Sequence, residues 1–293
     1  MALAAGTVDA IGGGGGLLTV PALLAAGLPP HLAIATNKGQ SVFGSGAALV
    51  RFSRAGLVPW ERARWNFPLG FLGSLGGAAL LLWIRPDVLR PLVLVLLMGA
   101  AAFVLLRPRV PRQGEADSGS DPVRPEERSG GTARSGAAPR TRGTLEEPRT
   151  GAARSGAAPR TRGTLEEPRT GAARSGSAAA LALGVGAYDG FFGPGTGTLL
   201  IVGLAGLLGL PLRQASAEAK VINFASNLAA ALLFAFRGVV IWHTALAMAV
   251  GQLLGGWLGA HLTVRGGERI VRGVVLCVVA ALVGKLSWDM LHR

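Results

Sequence analysis

VDAIGGGGGLLTV (residues 8–20) and YDGFFGPGTGTLL (residues 188–200) each interrupt a long apolar run with glycine, and each places an aspartate just before the interruption. Clustered glycine, with Pro194 in the second stretch, argues against a straight continuous helix through either segment. Inside a bilayer, broken backbone is tolerated only where protein or a water-filled cavity surrounds it. These two stretches therefore predict a membrane protein with two broken helices.

Working outward, apolar windows give eight candidate membrane segments, at about 1–28, 32–50, 65–84, 88–106, 178–210, 214–236, 243–264 and 270–286. Most are close to the ~20 residues needed to cross a ~30 Å hydrocarbon layer. The chain has 293 residues, a mean hydropathy of +0.44 and only 15% charged residues, against about a quarter for soluble domains. The charge is also concentrated: residues 107–176 hold 14 Arg and 9 acids, leaving 15 basic and 7 acidic groups for the other 223 residues.

The two broken segments belong to an internal repeat. With a shift of 182, Gly27-Leu28-Pro29 falls on Gly209-Leu210-Pro211, and Lys38 on Lys220. Phe52, Gly56, Val58 and Trp60 fall on Phe234, Gly238, Val240 and Trp242, and Gly73 and Gly77 on Gly255 and Gly259. With a shift of 180, Asp9 falls on Asp189 and Gly13 on Gly193. Apolar composition produces Leu and Ala coincidences, but not paired Lys, Asp and Trp. The pattern predicts an all-α integral membrane protein with about eight transmembrane helices in two homologous four-helix repeats, the first helix of each being glycine-broken or re-entrant. The expected divisions are an amino-terminal membrane repeat at 1–106, a linker at 107–176 and a carboxy-terminal repeat at 177–293. A re-entrant hairpin at each break would change the number of crossings and permit inverted repeats; the sequence leaves both arrangements open.

The linker repeats SGAAPRTRGTLEEPRTGAAR without change at 135–154 and 155–174. Low hydrophobicity with Pro, Gly, Ser and charge predicts disorder, and an unchanged copy predicts a length that function does not require. If eight segments cross, Arg51, Arg54, Arg62 and Arg64 lie on the linker side, and Arg85, Arg90, Arg213, Arg265, Arg269 and Arg272 lie opposite. Together with Arg107, Arg109 and Arg112 at the membrane edge, the balance favours a cell-membrane protein with the linker and both termini in the cytoplasm. The start of the chain has no basic region before its apolar run, so no cleavable signal peptide is expected. Cys277, the single cysteine, cannot form an internal disulfide. The net charge of +13 lies in the linker and at segment ends, which argues for loop arginines and not for nucleic-acid binding.

Only three lysines accompany 26 arginines, and two of them, Lys38 and Lys220, occupy equivalent places in apolar segments. A charge at membrane depth costs at least ~2.5 kcal/mol on insertion scales, so it faces protein, water or a ligand. Ser216, Lys220, Asn223 and Asn227 fall on one helical stripe; Lys38, Ser41 and Ser45, with Asn37 and Gln40 beside them, form the counterpart. Such groups bind a ligand or simply bond between helices. A helix restarting after a break offers free N–H groups and a positive dipole end to an anion. The expected ligand-binding set is thus Lys38, Lys220, Asn37, Ser41, Asn223, Asn227, Gly14, Gly15, Gly195 and Thr196. Asp9, Asp189 and Glu218 are candidates for proton coupling. His31, His243, His261 and His292 show no metal-ligand spacing, and there is no HExxH, GxSxG or ATP-binding motif, so no metal, cofactor or catalytic residue is expected.

VDAIGGGGGLLTVPALLAAGLPPHLAIATNK, YDGFFGPGTGTLL and ASAEAKVINFASNLAAALLFAFRGVVIW resemble the sulfite exporter TauE/SafE family of bacterial membrane proteins. The resemblance spans both halves, and DGFFGPGTGT is its most specific part. It implies about eight membrane segments from a duplicated four-segment unit, and transport of small sulfur-containing anions such as sulfite or sulfonates. The 70-residue linker exceeds what the family shows between its halves, and only eleven residues precede the glycine run. The expected function is a secondary transporter, an exporter, of such anions, with protons as a coupling ion, the bilayer as its surroundings and a homo-oligomer left open. The competing classes are a passive anion channel and, further off, a membrane enzyme.

Overall fold

The computed structural model describes residues 1–105 and 172–291, with side chains over 1–100 (apart from 86, 90 and 94) and 176–266. The predicted linker falls almost wholly outside the described residues, as do His292 and the side chains of Cys277, Arg90, Arg269 and Arg272. Among the described residues the fold is helical throughout, with no strand. Three helices are long and apolar enough to cross a membrane: α4 (Trp60–Trp83), α8 (Leu212–Phe236) and the first part of α9, Trp242–Gly266.

The broken segments are hairpins. The first divides into α1 (Ala2–Gly12) and α2 (Gly16–Ala25), and the second into α6 (Ala172–Phe191) and α7 (Thr196–Leu208). On a straight helix, residues 5 and 15 would stand ~15 Å apart. Instead Gly15 packs so closely on α1 that an added Cβ would lie 2.7 Å from the Ala5 carbonyl oxygen. Likewise a Cβ on Gly203 of α7 would lie 2.8 Å from the Leu181 side chain of α6. The chain turns back at both breaks, which is the re-entrant alternative.

The long helices α3 (Pro30–Arg54) and α8 are both 25 residues, and both follow a proline. They also end alike: the Leu57 N–H donates to the Phe52 carbonyl at 3.1 Å, and the Val239 N–H to the Phe234 carbonyl at 3.1 Å. These are matching Schellman closures, with Gly56 and Gly238 as the left-handed residue.

Helix directions follow from the contacts. Along α3 and α9, the Ile241 N–H donates to Thr36 Oγ1 (3.2 Å), Gly44 packs on Gln252, and Arg51 Nε donates to His261 Nδ1 (3.2 Å). Both numbers rise together, so α3 and α9 are parallel. Along α4 and α8, Asn66 meets Glu218, Gly70 meets Ile222, and the Ser74 hydroxyl donates to the Ser226 carbonyl (2.6 Å). These too are parallel. The connection from α8 to α9, residues 237–241, reaches at most ~18 Å, too short to return along the ~37 Å helix it follows. Thus α8 and α9 are antiparallel, and α3 runs opposite to α8. Small residues allow the tight approaches: Gly73 and Gly77 of α4 sit against Leu183 and Ala187 of α6, and Gly255 and Gly259 of α9 against Leu3 and Thr7 of α1.

Two expectations change. First, segments 243–264 and 270–286 are not separated, because α9 runs from Trp242 to Leu291 without interruption. Pro86 follows the break between α4 and α5 (Pro86–Leu105). The corresponding region around Gly266-Gly267 has no proline, and glycine alone does not oblige a helix to end.

Second, Arg213 and Arg265 do not lie opposite Arg51, Arg54 and Arg62. Arg213 Nη2 donates to the Val264 carbonyl of α9 at 2.6 Å, and the same stretch of α9 carries Trp257 under Arg54 and His261 beside Arg51. Because α8 runs opposite to α3, its start lies at the end of α3.

Candidate functional site

The two hairpin turns meet. Gly13, with φ of 76°, packs against Gly197 so closely that a Cβ on either residue would overlap the other's backbone. The Thr198 hydroxyl donates to the Gly12 carbonyl at 2.6 Å, and Gly16 packs on Pro194. No residue but glycine fits at 13, where a left-handed backbone and a close approach coincide. Gly195, with φ of 85°, sets the start of α7, and Thr196 is buried with its hydroxyl donating to the Gly193 carbonyl (2.6 Å). Gly14 and Gly15 are buried at the first turn. The amino-terminal ends of α2 and α7, with their positive dipole ends, are therefore brought together by the turns.

Each lysine pairs with the aspartate of the other stretch. Lys38 Nζ donates to Asp189 Oδ1 at 2.7 Å, and Lys220 Nζ donates to Asp9 Oδ2 at 2.7 Å. Both lysines are buried, at 1% and 0% exposure. A helix of one sequence stretch thus neutralises a hairpin of the other, twice. The pairing is what permits two lysines and two carboxyl groups among apolar helices, since burying an unpaired charge would cost several kcal/mol.

The polar stripe divides between the two pairs. Asn227 Oδ1 accepts from Lys38 Nζ at 3.0 Å. Asn223 stands between them: its Oδ1 accepts from Lys220 Nζ and its Nδ2 donates to Asp189 Oδ2, each at 3.5 Å. Asn37 points elsewhere. Its Oδ1 accepts from the Thr19 hydroxyl of α2 (2.5 Å) and from Gln40 Nε2 (3.0 Å), which ties α3 to the first hairpin. Ser41 is partly buried on α3, and its carbonyl accepts the Ser45 hydroxyl at 2.7 Å.

Glu218 is held apart from the lysines. It is fully buried and accepts from Arg62 Nε and Nη2 (2.9 Å for the shortest) and from Asn66 Nδ2 (2.9 Å). This forked pair joins the start of α4 to α8.

Several residues here had not been expected at a site: Ser226, whose hydroxyl donates to Asp189 Oδ2, then Thr19, Thr198, Asn66, and Arg62, which had been read only as a loop arginine. Ser226 follows Asn223 by three and Asn66 follows Arg62 by four, so the helical spacing that marked the lysine stripe also marks these. Among the described residues, no group of three or more His, Cys, Asp or Glu is arranged to hold a metal ion.

The family model described as Sulfite exporter TauE/SafE matches residues 1–286. The chain is 34% identical over 290 residues to the probable membrane transporter protein YfcA of Escherichia coli K12, covering 99% of this chain and 88% of the relative. It is 30% identical to the probable membrane transporter protein ORF9 of a Sinorhizobium species, over 99% of this chain and 91% of that one. A probable membrane transporter protein of Haemophilus influenzae is 29% identical over 96% of this chain and 90% of its own length. No solved structure matches the chain.

Proposed function

The chain belongs to the sulfite exporter TauE/SafE family, and we propose that within this family of membrane transporters it is a secondary exporter of small sulfur-containing or organic anions such as sulfite or sulfonates. The observation that carries the reading is the pair of buried lysines, each closed by an aspartate from the other sequence stretch beside a broken helix. A lysine whose partner is a movable carboxylate is an anion site that is self-satisfied when empty. The start of a broken helix adds backbone N–H groups and dipole charge of the right sign.

In this reading, residues 1–106 and 177–293 are two homologous four-segment repeats of inverted orientation, each opening with a re-entrant hairpin, and 107–176 is a dispensable disordered linker. Opposed α3 and α8, their matching ends, and hairpins crossing at Gly13 and Gly197 support that arrangement. Inverted repeats with discontinuous helices suit alternating access better than a continuous pore. Orientation follows from arginine. Arg51, Arg54, Arg62, Arg64, Arg213 and Arg265 gather at one end of the helices, while Arg85 and Arg237 lie at the other. The arginine-rich end and the linker are assigned to the cytoplasm.

The test is transport in proteoliposomes containing the purified protein and a panel of sulfite, sulfonates and unrelated anions, with and without an imposed pH gradient. Sulfur-anion movement that follows the pH gradient supports the reading. Transport of none of the anions removes it.

A further inference from the structure

The sequence repeat makes Lys38–Asp189 and Lys220–Asp9 equivalents, but their surroundings differ. Asp189 is sealed, with 2% of its side chain exposed, and receives Lys38 Nζ at 2.7 Å, the Ser226 hydroxyl and Asn223 Nδ2. Lys38 has Asn227 Oδ1 as a further partner at 3.0 Å, and Gly193 presses on it so that a Cβ there would lie 2.8 Å from Nζ. That pair is closed on every side. The Asp9 side chain is instead 21% exposed, and among the described residues its carboxylate receives, besides Lys220, only a long bond from the Gly15 N–H at 3.4 Å. Among the described residues the second partner of Lys220 is a long contact, to Asn223 at 3.5 Å.

We infer that the pairs have different tasks: the anion docks on Lys220 by displacing the Asp9 carboxylate, which takes up one proton as it leaves, while Lys38–Asp189 stays shut as a fixed clasp between the two stretches. This rests on the anion-transport reading above and deepens it. The balance is simple. Lys220 ammonium with Asp9 carboxylate carries no net charge; ammonium, a singly charged anion and a protonated Asp9 carry none either. The exchange therefore leaves no uncompensated charge among apolar helices, where one would be costly. Lys220 is the charged group that meets Asp9. Of the other helices packed on α1, α2 and α7 carry no ionisable side chain. On α3, Lys38 meets Asp189, Arg51 meets His261 of α9, and Arg54 lies over Trp257 of α9. Among the described side chains, His31 of α3 and His243 and Arg265 of α9 make no bond to Asp9. Glu218 of α8 is taken by Arg62, and Arg213 reaches the Val264 carbonyl.

The experiment measures methanesulfonate binding to the purified full-length protein from mildly acidic to mildly alkaline pH, a range over which this probe keeps its single charge. Wild type should lose about tenfold in affinity per pH unit once Asp9 is ionised, as one linked proton requires. Asp9→Asn should bind with the same affinity throughout, and Asp189→Asn should keep the wild-type pH dependence. Undiminished pH dependence in Asp9→Asn, or its loss in Asp189→Asn alone, overturns the inference while leaving anion transport standing. Should a variant fail to fold, proton uptake by weakly buffered wild type decides: about one proton per bound methanesulfonate supports the exchange, and none overturns it. Failure of wild type to bind methanesulfonate, sulfite or any other sulfonate removes the transport reading and this inference together.

Discussion

Lys38 and Asp189 stand 151 residues apart in the chain and 2.7 Å apart in the fold, and the pair is closed from solvent on both sides. Removing the lysine would leave a buried carboxylate with only neutral donors. Lys38→Met should therefore destabilise the protein by about 3–5 kcal/mol, the range for breaking a buried pair. Thermal unfolding in detergent, compared with the double variant Lys38→Met/Asp189→Asn, checks this. The double variant should recover part of the loss, because no unpaired charge remains.

Lys220→Met removes the charge that an incoming anion would meet while keeping an apolar stem of similar length. Sulfonate affinity should fall by roughly 1–3 kcal/mol, as for loss of one charge-assisted hydrogen bond. Lys220→Arg should also bind poorly, since a planar fork does not replace a compact ammonium. Equilibrium binding on folded protein reads both, and wild-type affinity in Lys220→Met would sink the assigned docking group.

Gly13→Ala and Gly197→Ala should each be severe, because a methyl group at either position overlaps the facing backbone. At residue 13 the left-handed backbone adds strain of about 1–3 kcal/mol. Gly76→Ala, where a Cβ meets nothing within 4 Å, is the matched control and should behave as wild type. Yield of monodisperse protein and its melting temperature separate the three.

Arg62→Met strands Glu218, which is fully buried and keeps Asn66 as its remaining bond donor among the described residues. A stability loss of about 3–5 kcal/mol is expected, and Glu218→Gln in the same protein should relieve it in part. A double-mutant cycle on unfolding measures the coupling. Additive effects would show that the fork between α4 and α8 contributes little.

Deleting residues 135–174 removes both copies of the duplicated segment. Insertion and transport should survive, and protease added on the cytoplasmic face should cut the full-length chain there while protease outside should not. Loss of folding on deletion would make the segment structural; cutting from outside would reverse the orientation.

The sequence by itself determined the membrane class and the family, and it displayed the repeated motifs and the charged residues set in apolar segments. Each rests on local chemistry: apolar length, glycine clusters, and lysine and aspartate where apolar neighbours make charge expensive. Helical spacing placed Lys220, Asn223 and Asn227 on one stripe, which the fold divides: Asn223 reaches Lys220, and Asn227 reaches Lys38. Partner choice was not legible, since pairing Lys38 with Asp189 and Lys220 with Asp9 depends on two hairpins crossing, and crossing is a property of packing. Chain reversal at the breaks was left open for the same reason: five glycines in a row permit a bend or a reversal equally well, and the close seat of Gly15 on Ala5 decides it. The misplaced arginines followed from that uncertainty, because a hairpin changes which end of the next helix comes first. Only the tertiary structure separated the two lysines, burying Asp189 among extra donors and leaving Asp9 partly open, a difference that two matching motifs could not express.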